Sequence, residues 1–410
     1  MVVHLGLIVP RYGEQIVGGT EHWLRSLCEH LVSERRWSVE VFTTCATSAA
    51  TWEDELDDGD DDLNGVTVHR HRSVSGRDRR YLELLPRLRA APDTVPDDLA
   101  YRFVELVGPV CPAVIDHAAA SSCDLVAVTP YLFWPAVHGV ERLRRRVIFH
   151  GAAHDEPELH LPIMRGVFAS VGGFAFNSVA ERALVERTFA VAQLPARVIG
   201  NTVSEGDGDP VAARAALGLG ADEPFVLCVG KVERAKGSHG LAELWHHYRA
   251  QRPAAPRLVL LGPVHDELAG DDGDVVVVGR QPEAVKWGAL RACQWVIAPS
   301  PWESFSLVVL EAWLAGRAVV VNGRCEATME HCRRSGGGLS FADAVEFEVV
   351  TDRLRTDGEL RERLAARGEA YARRQFSWDA VLDRYGSLVE DILGADRRPA
   401  PAPPPAPSSS

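Results

Sequence analysis

Short apolar runs, each followed by a stretch of helical period, recur along most of this 410-residue chain. The first run, 2–9, precedes a turn-rich loop and a segment from about 20 to 33. In that segment Leu24, Leu27, Cys28 and Leu31 fall at helical spacing. Runs 39–43, 66–70, 125–128, 147–150 and 173–176 are further predicted strands. Strand–helix alternation of this kind packs as a doubly wound parallel sheet, because parallel neighbours need a helix-length crossover. A second series (225–229, 257–261, 275–278, 295–298, 318–321) follows a Gly/Asp-rich stretch at 204–210. The length exceeds one ordinary core. The expected organisation is therefore two α/β domains, 1–203 and 204–376, facing a cleft. A closing helix at 377–395 begins after Ser377. A Pro/Ala/Ser-rich tail at 396–410 is too poor in apolar side chains to join a core. Ligands of such sheets sit at the C-terminal ends of the strands.

Composition removes some functions. A net charge of −13 argues against a general nucleic-acid binder. The start of the chain has no basic leader pattern and no apolar run is long enough to span a bilayer, so a cytoplasmic protein is expected. Eight cysteines (28, 45, 111, 123, 228, 293, 325 and 332) lack CxxC spacing and several lie in apolar runs. They are expected to be buried free thiols. Three of the 44 basic residues are lysines: Lys231, Lys236 and Lys286. In so arginine-biased a chain, two lysines five residues apart carry information.

Those two lie in Gly230-Lys231-Val232-Glu233-Arg234-Ala235-Lys236-Gly237, just after a predicted strand. Cations at a strand end suit a diphosphate, whose charge grows as it leaves. The segment from Pro301 to Ala312 follows another strand and opens a helix. Free N–H groups near Ser306 and Leu307 suit an anion. Glu303, before that helix, and Glu311, within it, suit sugar or ribose hydroxyls. Gly18-Gly19, ahead of the first helix, permits close approach of a ligand to the backbone. His150 ends a strand, where it can orient a hydroxyl. His154 and Asp155 have no third ligand at useful spacing, so no metal is expected. The acidic run 54–62 begins like a calcium loop, but its twelfth position is His71, and a solvated loop is expected. The Arg-rich stretch 70–89 reads as a solvated helical face rather than a membrane contact.

Together these residues resemble family 4 of the retaining glycosyltransferases. Glu303-Ser304-Phe305-Ser306-Leu307 with Glu311 resembles the family's E-x7-E motif. Gly230-Lys231 with Lys236-Gly237 resembles its G-R-x4-K-G loop. Gly18-Gly19-x-Glu21, His150-Gly151, the stretch 198–201 and Phe376-Ser377-Trp378 follow in the family's order. The resemblance implies the GT-B fold, two Rossmann-like domains. It implies a nucleotide-diphosphate sugar as donor substrate, a UDP-sugar ahead of a GDP-sugar, with no further cofactor. The acceptor is a small-molecule, glycan or lipid-linked hydroxyl. On this resemblance Lys231 and Lys236 hold the diphosphate. Glu303 and the backbone of Phe305, Ser306 and Leu307 hold sugar and phosphate. Glu311 binds ribose, Gly19 offers its N–H to phosphate, and His150 places sugar and acceptor. Lys231 stands where arginine is usual, and Ser304 and Ser306 where glycines are common. The expected reaction is metal-independent transfer with retention, the leaving diphosphate taking the acceptor's proton. The alternatives are an epimerase or phosphorylase on the same fold, or a catalytically idle binding subunit. A nicotinamide dehydrogenase is disfavoured, since no GxGxxG follows the first strand of either half.

Overall fold

The computed structural model describes residues 2–16, 18–268 and 273–396. Two parallel sheets form its frame. The first contains β1 (His4–Ile8), β2 (Ser38–Thr44), β3 (Gly59–Leu63), β4 (Val66–His71), β5 (Leu125–Val128), β6 (Val147–Phe149), β7 (Gly173–Phe176) and β8 (Ala196–Val198). The second contains β9 (Phe225–Val229), β10 (Arg257–Leu261), β11 (Val275–Gly279), β12 (Val296–Ala298), β13 (Val319–Asn322) and β14 (Gly338–Phe341). Their orders are β3-β4-β2-β1-β5-β6-β7-β8 and β11-β10-β9-β12-β13-β14. Only β3 runs antiparallel. The central strands are continuous apolar runs because helices cover both faces, and β5 is buried at every position.

Each sheet reverses its direction of growth at one place. The chain moves outward from β1 through β2 to β4, then returns to place β5 on β1's other side. From β9 it moves through β10 to β11, then returns with β12. At such reversals neighbouring connections diverge and leave a crevice above the strand ends.

The closing helix, Trp378–Asp396, returns to the first sheet. It buries Val381, Leu382, Tyr385, Leu388, Val389 and Ile392 in one cluster with Leu5, Val41 and Ile148. Each such side chain stabilises by roughly 1.5–3 kcal/mol. Arg384 adds hydrogen bonds to the Ile199 and Gln375 carbonyls. The stretch before the second sheet has no regular structure until Pro210. It is nonetheless held down: Arg291 donates to the Gly206 and Gly208 carbonyls at 2.7 and 3.1 Å.

Two expectations are corrected. The end of the acidic run is strand β3 rather than a loop. His69 and Arg70 of β4 pair with Asp60 and Asp61 at 2.6 and 3.0 Å, neutralising an edge that has no apolar face. The Arg-rich stretch is helical only over Tyr81–Ala90. Its first part completes β4 and then crosses as a loop. The eight cysteines are buried free thiols. Among the described residues no helix is long and apolar enough to cross a membrane. The proposed tail, 397 onward, lies outside the described residues.

Candidate active site in the cleft between the sheets

Both reversal points open onto one cavity of about 500 Å³. Val9, Arg11, Pro130 and Phe133, beyond β1 and β5, line one wall. Gly230, Lys231, Pro299 and Ser300, beyond β9 and β12, line the other.

On the second wall, the loop after β9 closes with a turn at Arg234–Lys236 and Gly237 in the left-handed region (φ 77°). A Cβ on Gly237 would lie 2.6 Å from the Pro299 carbonyl oxygen. A bare Cα therefore lets the loop lie against the β12 strand end, with Lys236 lining the cavity. Its Nζ is 2.9 Å from Glu303 Oε1. Lys231 is exposed and makes no ion pair among the described residues. The helix Leu307–Leu314 starts at the cavity, and the amides of its first turn have no partner within the helix. Its N-cap, Ser306, sits at φ 80°, a conformation that costs a side-chain-bearing residue of the order of 1 kcal/mol. Ser304 Oγ accepts from Asn177 Nδ2 at 3.1 Å, a bond between the two halves. Phe305 is buried edge-on against His331 and Phe376. Burial without a full set of polar partners pushes His331 down to about 4, so it is neutral in the fold.

Glu311 is not a cavity-lining residue. Its carboxylate meets Lys286 Nζ at 2.7 Å, and the same nitrogen is 2.7 Å from Glu283. Both side chains of the Lys286–Glu311 pair are only 13–15% exposed. The third scarce lysine thus braces the second motif glutamate.

On the first wall, Gly18 and Gly19 line the cavity, and a Cβ on Gly19 would touch Leu307 Cδ1 at 3.2 Å. Arg11 pairs with Glu21 and donates to the Thr47 carbonyl at 2.8 Å. Trp52 also lines the cavity. Its backbone is left-handed (φ 58°), and its Nε1 donates to the Val107 carbonyl at 2.9 Å. His150 lies behind this wall, not on it. Its ring contacts Trp23 and Tyr385, and its Nε2 is 3.0 Å from the Tyr385 hydroxyl. Complete burial pushes it down to about 3. The loop after His150 is fixed by Glu181, which accepts from the Ala153 and Asn177 amides at 2.7 and 2.6 Å. Burial pushes the Glu181 carboxyl up to about 7 despite these bonds.

The structure therefore brings Gly19, Lys231, Lys236, Glu303, Phe305, Ser306 and Leu307 to one cavity. It places Glu311 and His150 just outside. Sequence reasoning missed Arg11, Trp52, Phe133 and Glu181. Of these, only Glu181 carried a local signal, the Ser178-x-x-Glu181 capping box.

Residues 223–357 match the model of the family described as glycosyl transferases group 1. A D-inositol 3-phosphate glycosyltransferase of Stackebrandtia nassauensis is 30% identical over 295 residues, 64% of this chain and 65% of that protein. The match spans less than two thirds of that relative's length. Among solved structures, sucrose-phosphate synthase from Thermosynechococcus elongatus aligns with a TM-score of 0.70 at 21% identity. That alignment covers 96% of this chain and 100% of that one. Anabaena HepE, in complex with UDP and glucose, aligns with a TM-score of 0.65 at 18% identity, covering 95% and 99%. The two parallel-sheet domains of this chain have the GT-B fold.

Proposed function

We propose that this chain is a group 1 glycosyltransferase that transfers a sugar from a nucleotide-diphosphate donor to an acceptor hydroxyl, with retention at the anomeric carbon. One observation carries the reading: Lys236, Glu303 and the Ser306–Leu307 helix start line a single cavity at the reversal point of the second sheet. A diphosphate there meets two lysines and a helix N-terminus. These supply the counter-charge that a divalent ion provides elsewhere, so the transfer is metal-independent. Each such contact contributes roughly 2–4 kcal/mol to lowering the barrier. The Lys236–Glu303 pair is the resting arrangement. On donor binding Lys236 turns to phosphate, and Glu303 is released to accept sugar hydroxyls. Glu311, braced by Lys286, takes the ribose. No carboxylate stands as a nucleophile in this scheme, and the leaving diphosphate accepts the acceptor's proton. His150, neutral and held by Tyr385, acts as a positioning residue for the Gly151–Ala153 loop. The UDP bound by HepE favours a UDP-sugar.

The test is a transfer assay with UDP-glucose and a panel of acceptors, following UDP release and product configuration by NMR. A product with the donor's anomeric configuration is expected. Inversion, or epimerised donor without a transfer product, would overturn the proposal.

A further inference from the structure

Val9, just beyond β1, lines the cleft, whereas His4 opens β1 at its far end. At that far end, side chains from three neighbouring strands converge. His4 belongs to β1, Glu40 to β2, and Cys123 stands just before β5. Their ligating atoms all lie within 4.8 Å of one another. Among the described residues no other set of three His, Cys, Asp or Glu side chains gathers so closely.

His4 Nε2 is 2.7 Å from Glu40 Oε1, and its Nδ1 is 3.3 Å from Ser122 Oγ. The second Glu40 oxygen is 3.3 Å from His69 Nε2. Cys123 is buried in one apolar cluster with Phe42 and Val126. Glu40 and Phe42 alternate onto the same face of β2. A carboxylate beside that apolar cluster loses solvation that two imidazoles restore only in part. Gly6 forms the floor beneath the group. It pairs with Glu40 in the sheet, and a Cβ there would lie 3.2 Å from both Cys123 Sγ and Phe42 Cε2. Glycine weakens the interior of a strand and marks places where another group comes close. The bare Cα leaves room for the sulfur above β1.

We propose that His4, Glu40 and Cys123 form a site for a zinc-like divalent transition metal, which ties the start of β1 to β2 and β5. One nitrogen, one oxygen and one sulfur donor suit such an ion, with solvent as the fourth ligand. The His4 and Glu40 side chains are 24% and 23% exposed, so solvent reaches that position. Tetrahedral bonds of about 2.0–2.3 Å set ligands roughly 3.3–3.8 Å apart, and side-chain shifts of about 1 Å complete the set. On binding, His4 carries its proton on Nδ1 toward Ser122 Oγ, which leaves Nε2 for the metal. The Cys123 thiol proton leaves to solvent, and the sulfur binds as thiolate. The site stands apart from the cleft and takes no part in sugar transfer.

The experiment is titration of the full chain, stripped with a chelator, with Co²⁺ and then Zn²⁺, followed by absorbance. A single equivalent of Co²⁺ should give a thiolate-to-cobalt charge-transfer band. Zn²⁺ should displace it and raise the melting temperature. Cys123→Ser should remove the band and weaken Zn²⁺ binding on the order of 100-fold or more. His4→Ala and Glu40→Gln leave the buried sulfur in place and should each weaken binding on the same order. They decide the matter should Cys123→Ser fail to fold, as judged by the melting temperature of the metal-free variants. His117→Ala opens the neighbouring His71–His117 pair, 3.1 Å apart, and should leave binding unchanged. No binding of either metal, a band that survives Cys123→Ser, or binding that is lost in His117→Ala and kept in His4→Ala overturns the proposal.

Discussion

The two walls of the cleft are built in different ways. The second wall draws its charged groups from two short segments, 230–237 and 303–311, each running off a strand end into a turn or helix. The first wall collects Arg11, Trp52 and Phe133 from three separate connections, with Arg77 packed on Trp52 and Phe133, and holds them by long-range contacts. A wall made of local motifs repeats wherever the same phosphates must be held. A wall assembled from distant loops is free to vary while the local motifs opposite it stay the same.

The largest expected difference between the walls is kinetic. Lys236→Ala should lower turnover on the order of 100-fold or more whichever acceptor is supplied, since it removes charge stabilisation in the transition state. Steady-state assays with two acceptors check this, and a loss confined to acceptor KM would erase the distinction between the walls. Next in size is an effect of pH. His331 behind the second wall is held at about 4, below the usual histidine value of about 6.5. Its stabilising contribution is therefore complete above pH 6.5 and is lost as pH falls toward 4. Between pH 6.5 and 5 a histidine so buried forfeits about 2 kcal/mol. His331→Phe, which keeps an aromatic ring among Phe305, Trp313, Tyr371 and Phe376, should flatten that part of a stability–pH curve from urea unfolding. An unchanged curve would place the acid sensitivity elsewhere.

Much of this contrast bears on what the sequence alone makes legible. Nearly every central strand lies within a residue or two of its predicted run, because burial on both faces leaves an uninterrupted apolar signal. The strands missed are β3, β8 and β14, all at or near sheet edges. β3 consists of Gly59-Asp60-Asp61-Asp62-Leu63 and is held by cross-strand His69 and Arg70, a signal that exists only once β4 is beside it. The second wall is legible for the same reason as the central strands: its residues are neighbours in sequence. Lys286 was marked by lysine scarcity, but its partner Glu311 lies 25 positions away and emerges only from the fold. Arg77 and Trp52 carried no mark, since nothing local says that two arginines will share one indole.

Smaller effects sharpen the picture of the second wall. Lys286→Met should raise donor KM about 10-fold with little change in turnover, by leaving Glu311 without its brace. An unchanged donor KM would leave Glu311 without a part in donor binding. Ser306→Gly should stabilise by about 0.5–1 kcal/mol, because glycine adopts φ near 80° without strain. A higher melting temperature with reduced turnover would mean that the serine hydroxyl serves the donor. A lower melting temperature would deny the strain.

Nucleotide-sugar binding at the second wall is tested most directly by thermal denaturation across UDP-, GDP-, ADP- and dTDP-sugars. One of them, a UDP-sugar by preference, should raise the melting temperature. The underlying stabilisation should be about 2.7 kcal/mol at 100 times its dissociation constant, and should be reduced in Lys231→Ala and Lys236→Ala. No shift with any of the four, or a shift untouched by both lysine substitutions, would contradict it.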